Sequence, residues 1–487
     1  MTSDRPALSG TALGGPTPIS LPRTPLSWRL AIAAGCLLVF AAAYALQATI
    51  GPRGQALAGV FVFFGIVAMF SANLRQVNWR TIGWGLALQL LTALAVLKGQ
   101  IEIGGRIYSV RNAIERLGEL FKAFISFSDK GAEFVFGNLA RPQDLINVYG
   151  KDFLFPFVFK ALPPILFVSA FFTVLYHYGV LQWTVRIMSR VMSYLMQTSG
   201  AETLSVSANV FMGQTESPLI VKFYVPRMTY SELFTLMVSG FAHISGGMMF
   251  VYINYGADPT AVLTTCVMAC PCSLYLAKLF LPEVETPVTG GRVQIPREKS
   301  PFVNGIDAAA SGATDGMKLV LNVAAMLIVF IAFVALFDAL LGTIKPSLLW
   351  LGVSGNALSG WPDDLSMSRI FGWLFSPAAF LMGVESKDIE QVGSLLGTKL
   401  AINEHYAYLD FRRLQLENAA FISERSKLLT VFALTGFANF ASVGIQLGGI
   451  GAIAPDRRHD LARLGGRALF VGFTATLLNA AIAGVFM

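Results

Sequence analysis

Charged residues are scarce in this sequence. Asp, Glu, Lys and Arg make up 13% of its 487 residues, whereas about 25% is usual for a soluble domain. Hydrophobic residues account for 54% of the chain, and the mean hydropathy is +0.61. Because so few charges could not cover a soluble surface of this size, the composition indicates a polytopic integral membrane protein.

Cysteine is also rare, and the motifs of ATP-driven enzymes are missing. The four cysteines all fall in apolar runs, so we expect buried small residues and no disulfide framework: Cys36, Cys266, Cys270 and Cys272. The pair Cys270 and Cys272 could bind a soft cation, but the sequence contains neither a phosphorylation-loop DKTG nor a P-loop GxxxxGK[ST]. We therefore predict that the protein is not an enzyme and has no cofactor.

The positive net charge of +7 does not indicate nucleic-acid binding. No basic stripe with interleaved aromatic residues lies outside the loops, and polytopic proteins use Lys and Arg to fix their orientation. The expected surroundings are a lipid bilayer, and no nucleic-acid partner is predicted.

Apolar segments predict about nine transmembrane helices. Residues 1–27 are rich in Pro, Ser, Thr and Gly and are predicted to form a disordered cytoplasmic tail. The predicted spans are 30–46, 56–70, 82–97, 153–179, 233–255, 261–281, 319–337, 428–453 and 464–486. The fourth contains Pro163 and Pro164 and is expected to bend there. Residues 305–316 are expected to form a separate short surface helix.

Basic residues between the spans predict the orientation. Three groups lie on one side under this count, namely Arg75 with Arg80, Arg292 with Arg297 and Lys299, and Arg457 with Arg458, Arg463 and Arg467. The positive-inside rule then places the N-terminus in the cytoplasm and the C-terminus outside. One loop disagrees, but its apolar residues recur at alternating spacings of three and four, as in an amphipathic interfacial helix: Ile107, Val110, Ile114, Leu117, Phe121 and Phe124.

Two segments are too polar and too broken to span as straight helices. They cover residues 199–225 and 370–409, and we interpret both as re-entrant helical hairpins. Interrupted segments at corresponding places in two halves of a membrane protein are typical of inverted-repeat secondary transporters. The predicted organisation has scaffold helices at 28–198, a first transport repeat at 199–282, a connection with one scaffold helix at 283–345, and a second repeat at 370–487.

Polar side chains in these interruptions are the candidate site. Glu216 and Glu404 are carboxylates at bilayer depth, where an ionised group costs roughly 3 kcal/mol and so needs a polar partner. Gln214 and Thr215 suit the edge of a heterocyclic base. Glu404 with Asn439 and Ser442 suits vicinal sugar hydroxyls, although the last two could instead bond neighbouring helices. Phe437 and Met248 could contact a ligand or belong to the core.

Several motifs in family order resemble the concentrative nucleoside transporter family, including its bacterial members. They include GQTESPLIVKFYVPRMTYSEL, FAHISGG, LLGTKLAINEHYAY and GFANFASVGIQLGG, and the likeness runs from about residue 56 to the end of the chain. The resemblance implies a homotrimer of inverted-repeat subunits with two re-entrant hairpins. It also implies import of nucleosides together with sodium or, in some bacterial members, protons.

The resemblance implies roles for particular residues. The residues expected to face the base are Gln214, Thr215, Glu216 and Met248, and those expected to face the ribose are Glu404, Asn439, Ser442 and Phe437. Those expected at the coupling-cation site are Asn209, Met212, His243 and Ile244. The family commonly has a small hydroxyl residue where this chain has His243, and commonly Phe where it has His405.

The expected function is secondary active import of nucleosides across the inner, or plasma, membrane by alternating access. Sodium prefers hard oxygen ligands to imidazole, so His243 favours protons over sodium as the coupling ion. Backbone carbonyls could still bind sodium if this side chain turned aside. A passive channel or facilitator for a small polar solute is the alternative function.

Overall fold

A computed structural model describes residues 23–103, 106–141, 159, 162–290, 302–354, 362, 365–417 and 422–487. Most of the predicted N-terminal tail, residues 1–22, lies outside this part of the chain. Its last residues differ from the prediction, because the buried Thr24 donates from Oγ1 to the Ser71 carbonyl at 2.9 Å and a helix already begins at Leu26.

Helices make up nearly all of the described chain. The N-terminal half contains α1 (Leu26–Ala45), α2 (Gln47–Met69), α3 (Trp79–Leu97), β1 (Gln100–Ile103), β2 (Arg106–Ser109), α4 (Val110–Phe136), α5 (Leu162–His177), α6 (Val180–Met196), α7 (Gly200–Ala208), α8 (Ser217–Ile220), α9 (Tyr230–Ala242), α10 (Gly246–Asn254) and α11 (Pro259–Phe280). The C-terminal half contains α12 (Gly305–Trp350), α13 (Met367–Leu381), α14 (Ile389–Ala401), α15 (Glu404–Glu417), α16 (Glu424–Leu434), α17 (Phe440–Ile453) and α18 (Arg458–Phe486).

The polytopic helical fold predicted from composition is confirmed. Within the described residues, seven helical segments are long and apolar enough to cross a bilayer, and the bent pair α5 and α6 raises this number to eight. The eighth predicted span, 428–453, is divided between the shorter helices α16 and α17. A small antiparallel pair, β1 with β2, is the exception to the helical pattern among these residues.

Two repeats of the same elements organise the molecule. A hairpin comes first in each repeat, formed by α7 and α8 in the first and by α14 and α15 in the second. A broken helix follows, α9 with α10 or α16 with α17, and then a long helix, α11 or α18. Helices α9 to α11 and α18 are the buried part of the fold, whereas α1 presents most of its surface outward, as a lipid-facing helix does.

The predicted bend in the fourth span lies at a different place. Pro163 and Pro164 lie in the first turn of α5. Backbone N–H groups there have no partner within the helix, so the missing N–H of proline costs no helical hydrogen bond. The chain turns by 73° between α5 and α6, and Gly179 there has a φ of +80°. Glycine adopts this left-handed conformation without steric cost, so it rather than proline sets the bend.

The predicted short surface helix at 305–316 is wrong. These residues form the start of α12, a continuous helix of 46 residues that packs along α5. Gly312 and Gly316 lie against the α5 backbone, and a Cβ on Gly312 would come within 2.7 Å of the Ala170 Cα. The glycines in this stretch therefore allow close helix packing instead of ending a helix.

The amphipathic helix exists but begins later than predicted. Helix α4 starts at Val110, whereas Ile107 belongs to β2 and pairs with Glu102. Phe124 on α4 packs in a group of aromatic rings with Phe167, Phe171 and Phe250. This group joins α4 to α5 and α10.

Candidate functional site

The two helix breaks meet in the buried centre of the protein. The first comprises residues 243–245, between α9 and α10, and the second comprises residues 435–439, between α16 and α17. The amide of Phe437 donates to the carbonyl of His243 at 3.0 Å, which joins the breaks directly. Gly436 has a φ of +148°, and a Cβ there would come within 3.0 Å of the Phe241 carbonyl oxygen. Only glycine fits this crossing without strain.

Each break exposes helix ends to the site. Ser245 caps α10 by accepting from the Met248 amide at 3.3 Å, and Asn439 caps α17 by accepting from the Ser442 amide at 2.8 Å. The start of a half-helix carries partial positive charge and its end partial negative charge. The crossing therefore brings two positive and two negative helix ends together without any ionised side chain.

A hydrogen-bonded chain of side chains, linked between Ser442 and Asn439 by the Ser442 backbone amide, joins the first hairpin to the second. Gln214 Nε2 donates to Ser442 Oγ at 3.2 Å, and Asn439 Nδ2 donates to Glu404 Oε2 at 2.8 Å. Tyr252 completes the chain by donating to Glu404 Oε1 at 2.9 Å. These five side chains are buried, and we call them the polar bridge.

The polar bridge brings part of the predicted cluster together and adds Tyr252 to it. Of the predicted residues, it contains Gln214, Glu404, Asn439 and Ser442. Their amide, hydroxyl and carboxylate groups can both donate and accept, so each hydrogen bond among them could be exchanged for one to a polar ligand. Gln446 stabilises one end, since its Nε2 donates to Gln214 Oε1 at 3.1 Å.

Glu216 points to a different space from the polar bridge. It is exposed and lines a cavity of about 600 Å³ between the first hairpin, α5, α10 and α12. Phe172, Phe211 and Asp315 also line this cavity. Its volume falls in the range of about 300–1,000 Å³ that is usual for small-molecule sites. The two predicted carboxylates thus lie in different environments.

The other predicted substrate residues lie close to these features. Thr215 faces α17, where a Cβ on Gly449 would come within 2.8 Å of its Cγ2. Met248 is buried in the first turn of α10, and Phe437 is half-buried in the second break. Both pack in the hydrophobic core around the breaks.

Two predicted cation-site residues meet at the end of α9. Asn209 Nδ2 donates to Ser239 Oγ at 2.9 Å, and His243 Nδ1 lies 2.9 Å from the Ser239 carbonyl oxygen. Because a carbonyl can only accept, Nδ1 carries the hydrogen. Within the described part of the chain, Asn209 Oδ1 and His243 Nε2 are buried with no hydrogen-bond partner. Ile244 is buried beside them, and Met212 is half-buried on the hairpin.

Three residues at this site were not predicted, and all could have been found by helical spacing. Tyr252 follows Met248 by four residues on α10, and Gln446 follows Ser442 by four on α17. Ser239 precedes His243 by four on α9. Residues four apart lie on the same face of a helix, so each predicted residue indicated a neighbour.

Comparison with known protein families gives three matches along the chain. Residues 261–484 match the family description "Na+ dependent nucleoside transporter C-terminus", and residues 58–139 match the corresponding N-terminus. Residues 158–258 match a family described as "Nucleoside recognition". The last includes the first hairpin and the first helix break.

Individual proteins are similar over most of the chain. Human sodium/nucleoside cotransporter 1 is 37% identical over 88% of this chain, which spans 63% of that protein's length. A Haemophilus influenzae protein described as an uncharacterised transporter is 36% identical over 88% of this chain and 96% of its own length.

Solved structures of one protein, CNTnw, have a similar fold. Its inward-facing, substrate-bound state gives a TM-score of 0.79 at 34% identity, covering 89% of this chain and 97% of that one. An outward-facing state with two substitutions also gives 0.79, at 33% identity, covering 90% and 98%.

Proposed function

The chain belongs to the Na+-dependent nucleoside transporter family, and from this premise we propose that it imports nucleosides by secondary active transport coupled to a cation gradient. The family is one of transporters and not of enzymes. The observation that carries the proposal is the polar bridge, because it unites both hairpins and the second broken helix around groups that can bind a polar ligand.

We assign the substrate to the region of the two hairpin tips. Glu404, Asn439 and Ser442 would bind the ribose hydroxyls, with Phe437 beside the sugar. Gln214, Thr215 and Glu216 would contact the base, with Met248 adjacent. A nucleoside entering here replaces the Gln214–Ser442 hydrogen bond with bonds of its own, and the cavity at Glu216 gives a path to the site.

The coupling ion is assigned to the pocket at the end of α9, which contains Asn209, Met212, His243 and Ile244. We propose protons as the ion, because the Nε2 atom of His243 is the ring nitrogen left to accept one. A proton on Nε2 adds positive charge at the negative end of α9, where a helix stabilises cations. Protonation of His243 would thereby be coupled to the conformation of the first break.

Sodium is the second candidate, and one atom favours it. Asn209 Oδ1 is an unpartnered, buried oxygen among the described residues, and sodium prefers such hard ligands. Asn209 and backbone carbonyls would then bind the sodium ion, and the side chain of His243 would not coordinate it.

Alternating access would move one part of the protein against another. The proposed transport unit comprises both hairpins and both broken helices, within residues 199–282 and 370–487. The flanking helices in 28–198 and 283–345 would form the scaffold. We place the protein in the plasma membrane as a homotrimer, with the N-terminus cytoplasmic and the C-terminus outside.

Uptake of labelled uridine into proteoliposomes tests the function and its ion. External sodium is replaced by choline at fixed pH, the external pH is then varied, and a panel of unlabelled nucleosides competes. Proton coupling predicts uptake in choline that increases as external pH falls. Loss of uptake in choline at every pH would instead identify sodium, and absence of competition by any nucleoside would reject the substrate class.

A further inference from the structure

Lys399 is a fully buried lysine in the second hairpin. It lies on α14 near the tip of the hairpin, and its exposed fraction is 0%. A lysine at bilayer depth costs roughly 3 kcal/mol unless polar groups surround it. Within the described part of the chain, no Asp or Glu lies close enough to form an ion pair with it. Its charge is therefore stabilised in another way.

The amine is held at the end of a half-helix. Lys399 Nζ donates to the Ala433 carbonyl at 2.7 Å and to Thr476 Oγ1 at 3.0 Å, and it lies 5.5 Å from the centre of the Phe473 ring. Ala433 belongs to the last turn of α16, immediately before the second break. The last carbonyls of a helix lack helical partners and form its negative end, so this position attracts a cation.

The first repeat has the same arrangement with a different side chain. There Asn209 reaches from the first hairpin to Ser239, in the last turn of α9 before the first break. Asn209 brings no charge, and Asn209 Oδ1 and His243 Nε2 stay unpartnered among the described residues. The first repeat thus has unpartnered polar atoms available to an exchangeable cation where the second has the amine of Lys399.

We propose that Lys399 is a tethered cation occupying, in the second repeat, the position where the first repeat binds its coupling ion. The second break then receives its compensating charge from the protein itself, and the transport unit takes up its exchangeable cation in the first repeat alone. Lys399 is a positioning residue, because it acts on the break and on nearby Glu404 without contacting the nucleoside. This inference rests on the proposed transport function, because the position of the coupling ion is assigned there.

Removing the amine should create a second site for a small cation. We test Lys399→Ala in proteoliposomes in choline buffer, with methylammonium at equal concentration on both sides so that it sets no gradient. The expected result is a fall in uridine uptake of at least tenfold that millimolar methylammonium largely reverses. Wild-type protein and the control Lys387→Ala, which removes an exposed lysine near the start of α14, should not respond to methylammonium.

Thermal unfolding gives a second measurement that needs no transport. Methylammonium should raise the Tm of Lys399→Ala and leave those of the wild type and Lys387→Ala unchanged. The inference is overturned if Lys399→Ala transports normally in choline, or if methylammonium changes neither its uptake nor its Tm. If the wild type itself imports no nucleoside, the transport proposal fails, and the Tm measurement alone still decides whether the vacated position binds a cation.

Discussion

At the scale of single residues, Glu404 is the side chain on which the polar bridge depends. Both of its oxygens accept short hydrogen bonds, from Tyr252 and from Asn439, and its side chain is buried. Hydrogen bonds to an ionised group contribute about 1.5–3 kcal/mol each, more than those between neutral groups. Its negative charge is also what Lys399 and a coupling cation would balance across the crossing.

We expect Glu404→Gln to reduce nucleoside uptake by at least about tenfold, since losing one charge-assisted bond to a sugar hydroxyl costs more than about 1.4 kcal/mol. The amide keeps the size of the side chain, so the protein should still fold. Uridine uptake and binding by the purified variant are the measurements.

The matched control is Glu424→Gln, which neutralises an exposed acid at the start of α16. It should transport as the wild type does. Uptake by Glu404→Gln within a factor of two of the wild type would contradict the assignment of this carboxylate to the ribose.

His243 gives a second prediction at this scale. Replacing it by serine removes the ring nitrogen that would accept a proton and provides a hydroxyl oxygen near Asn209 Oδ1. We expect His243→Ser to lose the increase in uptake at low external pH and to become dependent on sodium.

Nucleoside uptake at several pH values, in sodium and in choline buffers, measures whether the coupling ion has changed from protons to sodium. His459→Ser is the control, because His459 is exposed near the start of α18 and should leave both dependences unchanged. Retention of the wild-type pH profile by His243→Ser would place proton binding elsewhere.

At the scale of elements, the crossing of the two breaks is formed by residues from both repeats. Phe437 and His243 share a backbone hydrogen bond, and Gly436 passes within contact distance of the end of α9. A change of geometry in one break must therefore be transmitted to the other. This contact would give a physical route by which the proposed ion in the first repeat alters the proposed nucleoside site in the second.

We expect Gly436→Ala to destabilise the protein by about 1–3 kcal/mol, the cost of a strained backbone position, because its Cβ would also meet Thr476 Cγ2 at 2.7 Å. Thermal unfolding in detergent measures the change. Gly448→Ala on the adjoining helix α17 is the matched control, since nothing lies within 4 Å of its Cβ position. Equal Tm values for the two variants would show that the crossing tolerates a side chain.

At the scale of the whole molecule, burial separates a core from a surrounding layer. The most apolar 18-residue stretch of each of the spans 230–254 and 259–280 is 89% buried, whereas that of α1 is 6% buried. Both breaks and the polar bridge lie in the buried part, so this part of the candidate site is enclosed by protein, whereas Glu216 is exposed in its cavity. Such an enclosed polar site suits a carrier that exposes it to one side at a time.

A carrier and a channel differ in an observable way. We expect proteoliposomes preloaded with unlabelled uridine to accumulate labelled uridine transiently above its equilibrium level, because a carrier exchanges one bound molecule for another. A passive channel gives simple equilibration with no such excess. Liposomes carrying Glu404→Gln protein are the control for non-specific leakage, and an equal, slow approach to equilibrium in both would favour the channel.

The sequence by itself determined the class of the protein and the position of its interruptions. Hydrophobicity and helix breaking are local properties, so most spans, the first hairpin and the polar segments around Glu216 and Glu404 could be predicted from neighbouring residues alone. The second hairpin was predicted at 370–409, but it is formed by α14 and α15, and α13 precedes it as a separate helix. Local reasoning failed where packing decides, as at Gly312 in α12 and at Gly179, where glycine rather than proline bends the chain.

Only the tertiary structure decided which polar groups meet. Gln214 and Ser442 are 228 residues apart, and no periodicity relates them. Glu216 and Gln214 are two residues apart, yet the first lines a cavity and the second belongs to the polar bridge. The physical reason is that a residue's type fixes which hydrogen bonds it can make, whereas the packing of the two repeats against each other fixes which partners are within reach.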